Sequence, residues 1–166
     1  MNFSIVKHII GYVLVFEAAL MALPTIVAVI CREGEGWSFV ITAALCLLIG
    51  FLLLRKKPEN RVFYVKEGFV TVALSWIIMS IMGSLPFLIT GTVTDPVDAL
   101  FETVSGFTTT GSSILSDVEA VSRSVLFWRS FTHWIGGMGV LVFLLSLLHM
   151  TGGGSHINLM KAESPG

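Results

Sequence analysis

Between two long apolar segments lies DPVDALFETVSGFTTTGSS, from Asp95 to Ser113, a stretch that starts as a helix and is too short to become a membrane span. Asp95 suits a helix N-cap and Pro96 the first helical position. Asp98 adds negative charge where the helix dipole favours it. A helix from Pro96 to about Phe107 is roughly 18 Å long at 1.5 Å per residue, against a hydrocarbon core of about 30 Å. It leads into Thr108, Thr109, Thr110, Gly111, Ser112 and Ser113, a run rich in oxygens and poor in helix formers. This combination predicts a re-entrant pore loop, because irregular backbone at membrane depth survives only inside protein or beside a water-filled cavity. Gly111 admits dihedrals closed to other residues, so successive carbonyls can point one way and replace the hydration shell of a cation. The partially negative C-terminal end of the short helix would face that ion. Read in isolation, the same stretch also fits an extramembrane loop with a short amphipathic helix.

The rest of the chain is built for a bilayer. Of 166 residues, 54% are hydrophobic and 13% charged, which is the composition of a membrane protein. The net charge is −1 and there is no basic stripe, so nucleic acid is not an expected partner. Four apolar runs are long enough to span: Ile9 to Ile30, Trp37 to Leu54, Phe69 to about Thr90, and Ser124 to about His149, with Met1 to His8 as a short polar start. The first is too long for a signal peptide, contains Glu17 and lacks a small-x-small cleavage pattern, so it is expected to be retained. Pro24 is expected to kink it. The segment RKKPENRVFYVKEG carries Arg55, Lys56, Lys57, Arg61 and Lys66. By the positive-inside rule it is cytoplasmic, and the N-terminus with it. From Gly91 to Ser122 there is no lysine or arginine, whereas Asp95, Asp98, Glu102, Asp117 and Glu119 are present. That pattern fits an outer vestibule that concentrates cations, and equally a solvated non-cytoplasmic loop.

Several residues admit both a structural and a functional reading. Glu17 is an intramembrane carboxyl, hence a functional candidate; the structural alternative is a buried group bonded to a hydroxyl or to backbone. Arg129 and His133 are four apart and share a helix face. Arg129 is expected to snorkel, or to bond pore-loop carbonyls or Glu102, and His133 to be a packing residue, since no second ligand stands at metal spacing. Gly136 and Gly139 favour close helix packing over a gating hinge. Cys31 and Cys46 lie in apolar runs and make no disulfide framework. The glycines of TGGGSHINLMKAESPG lack the strand and the GK[ST] of a phosphate loop. Neither HExxH nor a nucleophile elbow occurs, and no enzyme is expected.

FETVSGFTTTGSS followed by FWRSFTHWIGGMGVLVF resembles the first pore repeat of the Trk/Ktr/HKT potassium-transporter family, in its bacterial TrkH-like membrane subunit. The likeness continues to LMKAESPG and covers nearly the whole chain from Lys66 onward; the two leading helices match, less specifically, an extra N-terminal hairpin of that family. The resemblance implies an all-α integral membrane protein: an N-terminal two-helix hairpin followed by one helix–pore-loop–helix repeat. Residues 1–66 would be the hairpin and cytoplasmic loop, 67–150 the repeat, and 151–166 a cytoplasmic exit. It implies potassium uptake across the bacterial inner membrane, with potassium as substrate and no cofactor. Thr108, Thr109, Thr110 and Gly111 would form the filter, with potassium at Thr109 and Thr110, and Glu102 and Arg129 would support it. In this family four such loops surround one conduction path, so one repeat suggests the N-terminal portion of a longer transporter. Its partners would be membrane lipid, the three other repeats, a second copy of the complete protein, and a cytosolic nucleotide-binding regulatory subunit. Two alternatives are a homotetrameric potassium-channel-like pore and a non-conducting membrane assembly module.

Overall fold

The computed structural model describes residues 3–55 and 65–150, with the side chains of 65–67 and 140–150 left out. Most of the basic loop (Lys56, Lys57 and Arg61, with the side chain of Lys66) and the tail from Thr151 lie outside the described residues. The described residues form six helices and no strands: α1 Phe3–Leu20, α2 Ala22–Cys31, α3 Gly36–Leu54, α4 Val65–Ile89, α5 Pro96–Phe107 and α6 Arg123–Met150. Among them, three stretches are long and apolar enough to cross a membrane: Phe3–Cys31, Gly36–Leu54 and Gly68–Ile89. The fourth expected span falls on α6, whose 28 residues reach roughly 42 Å at 1.5 Å per residue. The chain is an all-α integral membrane protein.

The first span differs from expectation at its start and its middle. Helix begins at Phe3, so the polar start is already helical. The helix is interrupted at Met21, one turn ahead of Pro24. Pro24 lacks the N–H that would reach the carbonyl of Leu20, and its ring crowds that carbonyl. The break therefore falls where α1 ends.

α1 packs along α3, and both reach α4; α2 packs on α3 and α6. The α1–α3 crossing is close. A Cβ on Gly11 would meet the Gly50 carbonyl oxygen at 3.1 Å, and one on Gly50 would meet that of Gly11 at 3.1 Å. Small residues of this kind let membrane helices approach where hydrophobic driving force is weak. Val6, Ile10, Leu14 and Ala18 of α1, Cys46 of α3 and Met82 of α4 form one buried cluster. A second joins Met21 and Phe39 to Phe87, Phe107, Val125 and Trp128. Trp128 is wholly buried, and its indole N–H donates to the Gly83 carbonyl at 2.9 Å. Large apolar side chains such as Tyr12, Phe16, Leu48, Phe51, Ile77 and Ile81 face outward, as a lipid solvent permits. The short α5 sits between α4 and α6.

Candidate functional site

α5 is set by a local cap. The Asp95 carboxylate accepts from Val97 N–H at 2.8 Å and Asp98 N–H at 3.2 Å, and Pro96 occupies the first position, where its missing N–H is no loss. The helix then turns into the loop through its own last carbonyls. Thr108 N–H donates to Val104 at 2.8 Å, Thr109 N–H to Gly106 at 2.9 Å, and Thr110 N–H to Ser105 at 3.0 Å. Gly111 N–H reaches Ser105 at 3.4 Å. Four consecutive donors are thus engaged on the helix side. Among the described residues, no hydrogen bond reaches the carbonyl oxygens of Thr108, Thr109, Thr110 or Gly111. These four residues are exposed. With donors inward and acceptors unclaimed, the loop suits a cation and not an anion.

The backbone alternates to achieve this. Thr108 has φ −83°, Thr109 φ 57° and Gly111 φ 78°, and Thr110 is not among the positive-φ residues. The freedom expected of Gly111 is used. No atom lies within 4 Å of a Cβ built on it, so its requirement is conformational and not spatial. Thr109 escaped the sequence reading. A β-branched residue at positive φ is an outlier, costing roughly 1–2 kcal/mol, and such strain gathers at functional loops. Nothing in a run of three threonines marks the middle one. The Thr108 and Thr110 hydroxyls lie 2.9 Å apart, and Thr108 Oγ1 donates to Val104.

Behind the loop stands Glu102, 1% exposed. It does not belong to a solvated acidic vestibule: it accepts from Arg129 Nε, from Ser113 Oγ at 3.1 Å to each oxygen, and from Ile114 N–H at 2.9 Å. The two candidate supports are therefore partners, and together they fasten the segment after the loop to α5. Ser105 adds a second fastening that the sequence did not suggest, donating to the Ser112 carbonyl at 2.5 Å. Asp117 caps its own turn through Glu119 and Ala120 N–H. His133 Nδ1 lies 2.9 Å from the Arg129 carbonyl, a packing role as expected.

α6 meets α5 at van der Waals limit. A Cβ on Gly136 would lie 2.1 Å from the Phe107 carbonyl oxygen, and one on Gly106 would lie 2.1 Å from Thr132 Oγ1. Gly139 faces Trp76 of α4, so Gly136 and Gly139 both lie at close helix contacts. Glu17 is buried as expected, but among the described residues neither carboxyl oxygen has a hydrogen-bond partner, so the expected hydroxyl or backbone bond is not found there. A further contact comes from the turn before α3. Glu33 accepts from Arg123 N–H at 2.9 Å and Ser124 N–H at 3.0 Å, capping α6 from another element. The sequence carried no signal for it.

The site is thus a capped half-length helix leading into a loop with engaged donors and unclaimed carbonyls. The family model TrkH, described as "Cation transport protein", matches residues 35–165. The chain belongs to the TrkH family. It is 35% identical over 171 residues to the Trk system potassium uptake protein TrkH of Salmonella typhimurium, an alignment covering 100% of this chain and 35% of that protein. Against the Escherichia coli K12 protein of the same name the identity is 34% over 168 residues, with 100% and 35% covered. The crystal structure of the potassium transporter TrkH from Vibrio parahaemolyticus superposes with TM-score 0.83 at 32% identity, covering 89% of this chain and 32% of that one. This TrkH-family chain thus spans about a third of the length of those relatives.

Proposed function

We propose that this chain serves potassium uptake across a bacterial inner membrane, supplying one of the filter loops of a Trk-type transporter. The observation that carries the reading is the loop itself: four N–H groups turned to the pore helix and four carbonyls left for an ion. Potassium sheds its water against the carbonyls of Thr108, Thr109, Thr110 and Gly111, with Thr109 and Thr110 central. Glu102 and Arg129 hold the loop's return segment. One loop supplies only part of a coordination shell, so the conducting unit includes further loops of the same kind, four in all by the family pattern. The basic loop after α3 orients the N-terminus to the cytoplasm. In the complete protein a second copy and a cytosolic nucleotide-binding subunit join the assembly. The names of the similar proteins, potassium uptake proteins of the Trk system, support the choice of ion.

Gly111→Ser in the complete transporter tests it. The new side chain meets no neighbour, but its Cβ opposes φ 78°, so the carbonyls on either side reorient. About 1.4 kcal/mol of difference between ions is a tenfold change in preference. Plant members of the family with serine at the matching position resemble sodium-permeable transporters. The expected result is lowered preference for rubidium over sodium in competitive uptake, at unchanged membrane abundance. Unchanged selectivity would remove the filter assignment.

A further inference from the structure

At the far end of the α1–α3 pair from Glu33 lies a cleft of about 410 Å³, lined by Ser4, Lys7, Leu52, Leu53 and Arg55. Ser4 and Lys7 belong to the first two turns of α1, one turn apart on the same face. Arg55 ends α3. Both cations are exposed, and among the described residues neither forms an ion pair. The partial positive charge of the α1 N-terminus is offset by the partial negative charge of the α3 C-terminus beside it, so the attraction for an anion rests on the two side chains. The walls are leucine, so the cleft combines two cations and a hydroxyl with apolar flanks. A free aqueous anion has no use for such flanks. A lipid has both parts: a phosphodiester for Lys7 and Arg55, and acyl chains for Leu52 and Leu53. The guanidinium of Arg55 can grip phosphate oxygens in pairs, and Lys7 adds a point charge. The cleft also lies at the right depth, because these residues terminate two membrane spans, where lipid phosphates sit. Basic pockets between membrane helices bind anionic headgroups for these reasons.

We propose that the α1–α3 end is a binding site for an anionic phospholipid, its phosphodiester held between Lys7 and Arg55. This is independent of the filter assignment. A zwitterionic lipid brings an ammonium that meets the same two cations unfavourably, so the site discriminates by headgroup charge.

The experiment is native mass spectrometry of the complete protein in micelles holding equal phosphatidylglycerol and phosphatidylcholine. Wild type should retain phosphatidylglycerol preferentially. Lys7→Gln with Arg55→Gln should lower that preference by about fivefold per charge removed, while the charge-preserving Lys7→Arg with Arg55→Lys keeps it. Arg123→Gln, at an exposed cation at the other end of the fold, should leave it unchanged. An equal loss in Arg123→Gln would overturn the proposal in favour of general charge attraction. Displacement of the lipid by millimolar inorganic phosphate would overturn it in favour of a free-anion site. The absence of any headgroup preference in wild type would overturn it outright.

Discussion

Glu102 joins three parts of the site: α5, the segment after the loop and α6. Its charge is buried at 1% exposure against Arg129 at 18%, so removing one partner leaves the other uncompensated. Arg129→Leu should therefore destabilise the complete protein by about 3–5 kcal/mol. Glu102→Gln on that background should recover part of the loss, since glutamine still accepts from Ile114 N–H. Denaturation of both variants decides it, and a double variant as unstable as the single would mean that the pair contributes nothing as a pair. The identities of Glu102 and Arg129 were legible in the sequence, because a carboxyl and a guanidinium are rare in apolar helices. Their partners Ser113 and Ile114 were not, because contact across a loop of irregular backbone leaves no periodic trace. Glu17 shows the opposite case: its burial was legible, and its lack of a partner among the described residues was not.

At the scale of elements, α5 was the most readable feature. Its signals, Asp95, Pro96 and Asp98, act within one turn, and the helix runs from Pro96 to Phe107 as its sequence predicts. The start of α6 was read to within one residue, at Ser124 against Arg123, but its cap was not legible, because it comes from Glu33, ninety residues earlier. Partial burial raises the Glu33 pKa somewhat, but the bonds from Ser124 and Arg123, with the Arg123 charge, outweigh it and leave the pKa below the ordinary value. Glu35, two residues on, is shifted the other way, by burial and then by the charge of Glu33. A depressed carboxyl stabilises the fold above its unfolded pKa, about 4.3, and loses that contribution as pH falls through the lower folded value. The melting temperature of wild type should exceed that of Glu33→Gln at neutral pH, and the gap should narrow in acid below about pH 4. A gap that widens on acidification would contradict the capping role. The α5–α6 contact gives a second test at this scale. Gly136→Ala places a methyl group against the Phe107 carbonyl, where the three nearest atoms are all backbone, so the helices must separate. Overpacking of this kind costs about 1–3 kcal/mol, and the shift should reach the loop as altered rubidium-to-sodium preference. A variant of wild-type stability and selectivity would show that the contact yields freely.

Across the whole molecule, α1 and α3 share buried clusters with α4, α5 and α6 and do not stand apart. Which way the assembly faces rests on the charge of the loops. With Cys31 and Cys46 replaced, Ser116→Cys should react with an impermeant thiol reagent on intact cells, and Asn60→Cys only after permeabilisation. Labelling of Asn60→Cys alone on intact cells would invert the topology. The cap on α6 has a further consequence, in time instead of space. A chain emerges from the ribosome N-terminal end first, so Glu33 is in place before Arg123 has been made. The group that caps α6 is therefore synthesised before the helix end it caps.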